Sequence, residues 1–214
     1  MFHPSKHRSR IRTTVALTAA ALAAATVLAA CGKSDSTDTE SSATRTAANG
    51  DVYNDADVTF AQQMIPHHAQ AIEMADMTRG RELSPEVAQL AASVMEAQTP
   101  EIETMTDWLN SWGEDIPETM RDHANAHGGD MEEMPGDDMP GMMSQDDMDA
   151  LESASDAEFE DLWLEMMVEH HQGAIEMAKD EQEDGRFSPA VDLAESIAAG
   201  QTAEVDQMSN LLER

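Results

Sequence analysis

Apolar side chains recur every three to four residues in four segments of residues 52–214, which is the period of amphipathic helices. Ser84-Pro85 and Ser188-Pro189 stand before the second and fourth segments, and each has the form of an N-cap followed by proline at the first helical position. Gly113 stands where the second segment ends, as expected for a helix C-terminus. The pattern therefore predicts the order helix, short loop, helix, and predicts it twice.

The two predicted hairpins are copies of one another. Residues 64–75 (MIPHHAQAIEMA) match residues 167–178 (MVEHHQGAIEMA), and residues 98–105 (QTPEIETM) match residues 201–208 (QTAEVDQM) at the same offset. Chance does not place two motifs at one shared spacing. Because each hairpin has an apolar face that it cannot bury alone, the sequence predicts an all-α fold, a four-helix bundle of two duplicated helical hairpins with a pseudo-twofold axis.

A long connection, residues 114–154, joins the predicted hairpins and is rich in Met and Asp. A short helix is expected near residues 144–151, and Ser155-x-x-Glu158 resembles a capping box that opens the third long helix. The methionines between residues 120 and 148 follow neither a helical nor a strand period, and thioethers bind soft Cu(I). The connection is either an accessory metal site or a disordered acidic loop of biased composition. Its candidate ligands are His123, His127, Met131, Met134, Met139, Met142 and Met143.

The beginning of the chain has the pattern of a secretory signal. Residues 3–12 are basic, residues 13–30 are apolar and small, and Cys31 follows Leu28-Ala29-Ala30 as in a bacterial lipobox. The sequence thus predicts a lipoprotein signal peptide at residues 1–30 and a lipidated Cys31; the alternative is an uncleaved membrane anchor in which Cys31 is unmodified. Residues 31–51 lack large apolar side chains and are expected to be a flexible tether, with the folded domain at residues 52–214. This arrangement predicts an extracytoplasmic protein that is anchored to the cell membrane through lipid.

The amino-acid composition argues against several classes of function. The chain has 12 Lys and Arg against 43 Asp and Glu, a formal net charge of −31, which argues against nucleic-acid binding. Its single Cys excludes an internal disulfide framework and a Cys-rich zinc module. No nucleophile with a recognisable base and no glycine-rich phosphate loop appear. The sequence favours a binding protein over an enzyme and leaves an enzymatic activity open.

The duplicated motifs carry the candidate metal ligands. On a helix, the paired histidines and the flanking methionines share the apolar side, so the two copies are expected to face one another in the bundle. Imidazole suits copper, zinc, iron or nickel, and thioether favours Cu(I). In di-iron bundles Glu stands three residues before His, whereas methionine stands there in both copies, which favours copper. The candidates are His67, His68, Met64 and Met74, and in the second copy His170, His171, Met167 and Met177.

Polar residues on the second helix of each hairpin are candidates for holding the ligands in place. Gln98 and Gln201 fall in the middle of apolar arcs, and Glu101 and Glu204 fall at the edges of the same arcs. A ligating histidine usually donates its other N–H to an oxygen, which these side chains would supply. A contact between the two glutamines across the pseudo-axis is the equal alternative.

The doubled motif resembles the bacterial domain-of-unknown-function 305 family over about residues 52–212. The resemblance rests on Met64-Ile-Pro-His-His-x-x-Ala-Ile-x-Met-Ala and Met167-Val-x-His-His-x-x-Ala-Ile-x-Met-Ala. It implies a ferritin-like helical architecture and supports extracytoplasmic copper binding.

The leading hypothesis is a lipid-anchored metal-binding protein that buffers, sequesters or transfers copper and exchanges it with copper-handling proteins. One alternative is a ferritin-like metal-dependent oxidase, which would need bridging carboxylates inside the bundle. Another is a structural or interaction module at the cell surface, in which the histidines are buried hydrogen-bonding groups. The sequence does not give the oligomeric state.

Overall fold

The computed structural model describes residues 43–119 and 139–214. The predicted signal peptide, Cys31 and the tether as far as residue 42 lie outside the described residues. The described elements are β1 (Arg45–Thr46), β2 (Val52–Tyr53), α1 (Asp55–Asp76), α2 (Pro85–Trp112), α3 (Gln145–Ser153), α4 (Asp156–Asp184) and α5 (Ser188–Leu212).

The four long helices form a bundle of two hairpins. The most extensive helix contacts lie between α1 and α2 and between α4 and α5, and the packing of α1 against α4 joins the two pairs. Helices α1 and α4 run antiparallel: Asn54, before α1, bonds to the Asp184 carbonyl, and Met74, late in α1, accepts a bond from the Trp163 indole. The predicted four-helix bundle of duplicated hairpins is confirmed.

The apolar core has two parts that lie on either side of the four paired histidines. One part contains Phe60 and Met64 of α1 with Ala178 of α4. The other contains Met74 of α1 with Trp163 of α4. Along both helices the histidine pairs come between these two sets of apolar residues, so a polar layer crosses the middle of an apolar bundle.

Carboxylates at equivalent positions tie each hairpin to the loop of the other. Asp57 on α1 accepts bonds from the backbone N–H groups of Arg186 and Phe187, both at 2.9 Å. Its repeat partner Glu160 on α4 accepts a 2.7 Å bond from the N–H of Ser84. The loops thus obtain acceptors for backbone donors that would otherwise be unpaired, and each bond crosses between hairpins.

Most helix ends follow the predicted signals. Ser84 caps α2 by accepting from the N–H of Val87, and Gly113 ends that helix in the left-handed conformation. Helix α3 begins after Ser144 with a complete capping box, close to the predicted short helix. Two details differ from the prediction. Ser188 is the first residue of α5 rather than its N-cap, and the hydroxyl of Ser155 bonds to the Glu158 carboxylate at 2.7 Å instead of capping the backbone.

The sequence predicted that the folded part starts at Val52. In the structure it starts earlier. Strand β1 pairs with β2 in antiparallel register, Arg45 opposite Tyr53. Tyr53 stacks on Trp112 with ring centroids 4.5 Å apart, and Arg45 forms ion pairs with Asp55 and Glu114. The last part of the predicted tether is therefore packed on the bundle. Within residues 43–119 and 139–214, no helix combines the length and the apolar character needed to cross a membrane.

Candidate metal centre

His67 of α1 and His170 of α4 face each other at the centre of the bundle. Their ring centroids are 3.8 Å apart and their planes are inclined by 40°. His68 and His171 follow them in the chain, and all four histidines are fully buried. The structure therefore brings together the two duplicated pairs, as the helical spacing predicts.

Two carboxylates hold the outer histidines in equivalent ways. Nε2 of His68 lies 2.7 Å from Oε2 of Glu101, and Nε2 of His171 lies 2.8 Å from Oε2 of Glu204. A carboxylate accepts but does not donate, so Nε2 carries the proton in each contact. The carboxylates thus fix the ring orientation and direct the lone pair to Nδ1, an arrangement typical of histidines that ligate metals.

The inner histidines have different partners. Nε2 of His67 lies 3.0 Å from the carbonyl oxygen of Pro140, an acceptor only, so His67 also carries its proton on Nε2. His170 has no hydrogen-bond partner on either ring nitrogen within the described part of the chain. The two halves of the centre are therefore similar in composition but not equivalent.

The buried ring nitrogens that lack partners fit a metal ion. Nδ1 of His67, His68 and His171, and both ring nitrogens of His170, have no hydrogen-bond partner among residues 43–119 and 139–214. A buried polar atom without a partner is costly, and native proteins retain few of them. Imidazole nitrogen is a common ligand of transition metals, so an ion bound here would give these atoms a partner.

Burial keeps the inner imidazoles in the form that ligates metals. Removal from water, followed by the proximity of His68, lowers the pKa of His67 to about 3. Removal from water and the neighbouring His67 lower the pKa of His170 well below its usual value. Both rings are therefore neutral at physiological pH, so no proton has to be displaced before their lone pairs can bind an ion.

The candidate methionines lie on both sides of the histidines. Met64 and Met177 belong to the core part near the start of α1, and Met74 and Met167 belong to the part near its end. All four side chains are buried. Within residues 43–119 and 139–214, there is no group of three or more His, Cys, Asp or Glu side chains placed to hold a metal ion.

The two glutamines do not reach the partners that the sequence suggested. Gln98 is buried, and neither its amide nitrogen nor its amide oxygen has a hydrogen-bond partner in the described chain. The amide oxygen of Gln201 also lacks one. Gln98 therefore bonds neither to a histidine nor to Gln201, and the glutamates one turn further along α2 and α5 are the residues that contact His68 and His171.

The accessory methionines are placed only in part. Met139 and Met142 are half-buried, whereas the side chain of Met143 packs in the core rather than on an exposed loop. The remaining accessory candidates lie outside the described residues: His123, His127, Met131 and Met134.

Sequence reasoning missed a segment that lies against the centre. Gln70 of α1 bonds twice to the backbone of Met143, and Gly173 of α4 contacts Pro140 and Gly141. Gln70 and Gly173 are repeat partners, and they form one of the few differences inside the duplicated motif. That difference within an otherwise shared motif was the sequence signal that could have indicated this segment.

Comparison with known proteins gives a consistent picture. The profile of a family described as "Domain of unknown function (DUF305)" matches residues 57–212. A putative secreted DUF305 protein from Streptomyces coelicolor is 29% identical, with a TM-score of 0.62, over 74% of this chain and 92% of that chain. A DUF305 fragment from Deinococcus radiodurans is 27% identical, with a TM-score of 0.62, over 79% and 99%.

A third solved structure is of a protein named CopM. Its Cu(II)-bound form is 28% identical to this chain, with a TM-score of 0.59, over 73% of this chain and 95% of CopM. CopM was also solved in a Cu(I)-bound form. No curated protein matches the chain. The family match spans the bundle from the first turn of α1 to the end of α5.

Proposed function

The chain belongs to the DUF305 family, and from this premise we propose that it binds copper as cargo in the centre of the bundle, outside the cytoplasm. In this proposal the protein buffers or sequesters copper and transfers it to copper-handling partners. The observation that carries the proposal is the set of buried imidazole nitrogens on α1 and α4 that have no hydrogen-bond partner among the described residues. The copper-bound forms of CopM, at 26% and 28% identity, support the choice of metal.

Each group of side chains has a role in this proposal. His67, His68, His170 and His171 supply nitrogen ligands. Glu101 holds the ring of His68 and Glu204 that of His171, so that Nδ1 of each of these two rings faces the ion. Thioethers from the two core parts add soft ligands that favour Cu(I) over harder ions. These are Met64, Met74, Met167 and Met177.

Anaerobic Cu(I) titration of the purified protein against a chromophoric chelator tests the histidines. We expect replacement of all four paired histidines by alanine to abolish tight binding, because these are the only buried histidines in residues 43–119 and 139–214. Circular dichroism of each variant checks that the helices remain. Unchanged copper stoichiometry in a folded variant, or a preference for Zn(II) over Cu(I), would contradict the proposal.

The methionines allow a matched comparison within one helix. Met74 is fully buried in α1, two turns after His67, whereas Met77, the residue that follows the helix, is half-buried. We expect Met74→Leu to weaken Cu(I) binding about tenfold while Met77→Leu leaves it unchanged, because leucine keeps the volume and removes the sulfur. Equal effects of the two substitutions would exclude a thioether ligand at Met74.

The location and anchoring of the protein belong to the same proposal. Residues 1–30 would direct export, and lipid on Cys31 would tether the bundle to the membrane. The description of the Streptomyces coelicolor relative as a putative secreted protein supports export. We expect Cys31→Ala to move the protein from the membrane fraction to the soluble extracytoplasmic fraction. Absence of lipid on Cys31 of the membrane-bound wild-type protein, measured by mass spectrometry, would exclude the lipid anchor.

The methionines of the connection are proposed as an accessory, weaker copper site. Within the described chain, Met139 and Met142 retain partial exposure and flank Pro140, whose carbonyl accepts from His67. Replacing both with leucine should lower copper stoichiometry at high copper and leave the tight binding unchanged. Loss of tight binding instead would place these methionines in the main centre.

A further inference from the structure

Residues 139–143, called here the strap, cross the bundle directly beside the histidine centre. The strap approaches α4 so closely that a Cβ atom at Gly141 would lie 2.6 Å from the Glu169 carbonyl oxygen and 3.0 Å from that of His170. A Cβ atom at Gly173 would lie 1.9 Å from the Pro140 carbonyl oxygen. Only glycine at these two positions lets the strap lie against the helix.

Gln70 fastens the other side of the strap to α1. Its amide nitrogen donates to the Met143 carbonyl at 2.8 Å, and its amide oxygen accepts from the Met143 N–H at 2.8 Å. Gln70 is 1% exposed, so both bonds are shielded from water. This paired contact fixes the strap in position and in register along α1.

The fastened strap places one carbonyl group against one histidine. Pro140 accepts from Nε2 of His67, whereas no hydrogen bond joins the strap to His170. The same asymmetry appears in the repeat, where Gln70 and Gly173 occupy equivalent positions. One copy carries the residue that fastens the strap, and the other carries the residue that makes room for it.

We propose that Gln70 is a positioning residue which, with Gly173, holds the Pro140 carbonyl against His67 and thereby fixes the Nε2-protonated tautomer of His67. The lone pair of His67 Nδ1 is then available before any ion arrives. The consequence for copper affinity rests on the proposed function. The tautomer of His67 in the metal-free protein does not depend on the proposed function.

Nuclear magnetic resonance of the metal-free protein with ¹⁵N-labelled histidine tests the proposal, because the two ring nitrogens report the tautomer directly. We expect His67 in the wild type to be protonated at Nε2. In Gln70→Ala we expect a mixture of tautomers at His67, while His68 and His171 keep Nε2 protonation because their glutamates remain. Gln62→Ala is the matched control, since Gln62 also lies on α1 and donates to a backbone carbonyl, that of Asp115, away from the strap.

Gly173→Ala displaces the strap without touching Gln70 or His67 and keeps the test decisive if Gln70→Ala is poorly folded. We expect the same change at His67, and in both variants about tenfold weaker Cu(I) binding, the usual effect of losing a group that orients a ligand. An Nε2-protonated His67 in both folded variants would overturn the proposal, even if copper binds. A changed tautomer in a protein that never binds copper would overturn the proposed function and leave the positioning role intact.

Discussion

His67 and His170 occupy equivalent positions in the two copies, yet their surroundings differ. His67 donates to the carbonyl of Pro140, whereas both ring nitrogens of His170 lack partners within the described residues. The sequence predicted that these histidines meet, because duplication places the same residues on the same face of two hairpins. It did not predict the difference, because the contact with Pro140 comes from a segment without any periodic pattern.

Acid should destabilise the metal-free protein through the inner histidines. The pKa of His67 falls to about 3 on folding, so between pH 6.5 and pH 3 the unfolded chain binds a proton that the folded chain does not. Stability is therefore lost as the pH falls through this window. Urea unfolding at pH 7 and pH 5 checks this, and the double variant His67→Gln, His170→Gln should show a smaller loss. An equal loss in both proteins would assign the acid sensitivity to other groups.

Glu181 should make the protein less stable as the pH rises, in contrast to the inner histidines. Its side chain is buried, and burial followed by the nearby Asp57 raises its pKa to about 9. The folded chain keeps a proton that the unfolded chain loses above pH 4.5, so stability falls as the pH rises from there towards 9.

Glu181→Gln removes this ionisation while keeping the side-chain shape. We expect it to raise Tm at pH 8 by about 2–4 °C, equivalent to about 1 kcal/mol in a domain of this size. Glu183→Gln, at an exposed position of the same helix, is the control and should leave Tm unchanged. A lower Tm for Glu181→Gln would show that the ionised carboxylate is the stabilising form.

At the scale of elements, the hairpins are joined by packing and by reciprocal bonds to loops. Helical period, N-cap serines and proline positions predicted where the helices lie, and the duplication predicted how they pair. The bonds that Asp57 and Glu160 accept from the opposite loops were not predicted, because an acidic residue near the start of a helix is equally suited to a cap or to solvent. Only the packed hairpins bring each carboxylate to the other loop.

The two carboxylates should differ in their contribution to stability. Asp57 is fully buried and accepts from three backbone N–H groups, those of Asn54, Arg186 and Phe187. Asp57→Ala leaves these donors unpaired and should cost about 3 kcal/mol in the free energy of unfolding.

Glu160→Ala frees only the N–H of Ser84 and should cost about 1 kcal/mol, because that site is half-buried. Chemical denaturation measures both, with exposed Asp161→Ala as the control. A larger cost at Glu160 than at Asp57 would contradict the view that burial of the loop donors decides the effect.

At the scale of the whole molecule, charge opposes compactness. With 43 acidic and 12 basic residues, the formal net charge of −31 produces repulsion that salt screens. We expect Tm of the metal-free protein to rise by a few degrees between about 20 mM and about 500 mM NaCl, measured by calorimetry. A fall in Tm would mean that the ion pairs of the surface outweigh the repulsion.

The overall architecture follows from the sequence because it depends on repeated, local patterns. Four helical segments, two hairpins and the meeting of the paired histidines all derive from periodicity and from one shared offset. The strap and the ribbon before α1 do not, because their positions depend on single contacts, such as Gln70 with Met143 and Tyr53 with Trp112. Such contacts join residues far apart in the chain and leave no local pattern.

The difference between Gln70 and Gly173 has a consequence for any assembly of separate hairpins. Two identical chains related by a true dyad would carry the same side chain at both sites. Two glutamines would leave no room for a crossing segment, and two glycines would offer it no side-chain hydrogen bond. A peptide that crosses such a dyad can run in only one direction and so breaks the symmetry that it crosses. Because both halves belong to a single polypeptide, a substitution can change one half without changing the other.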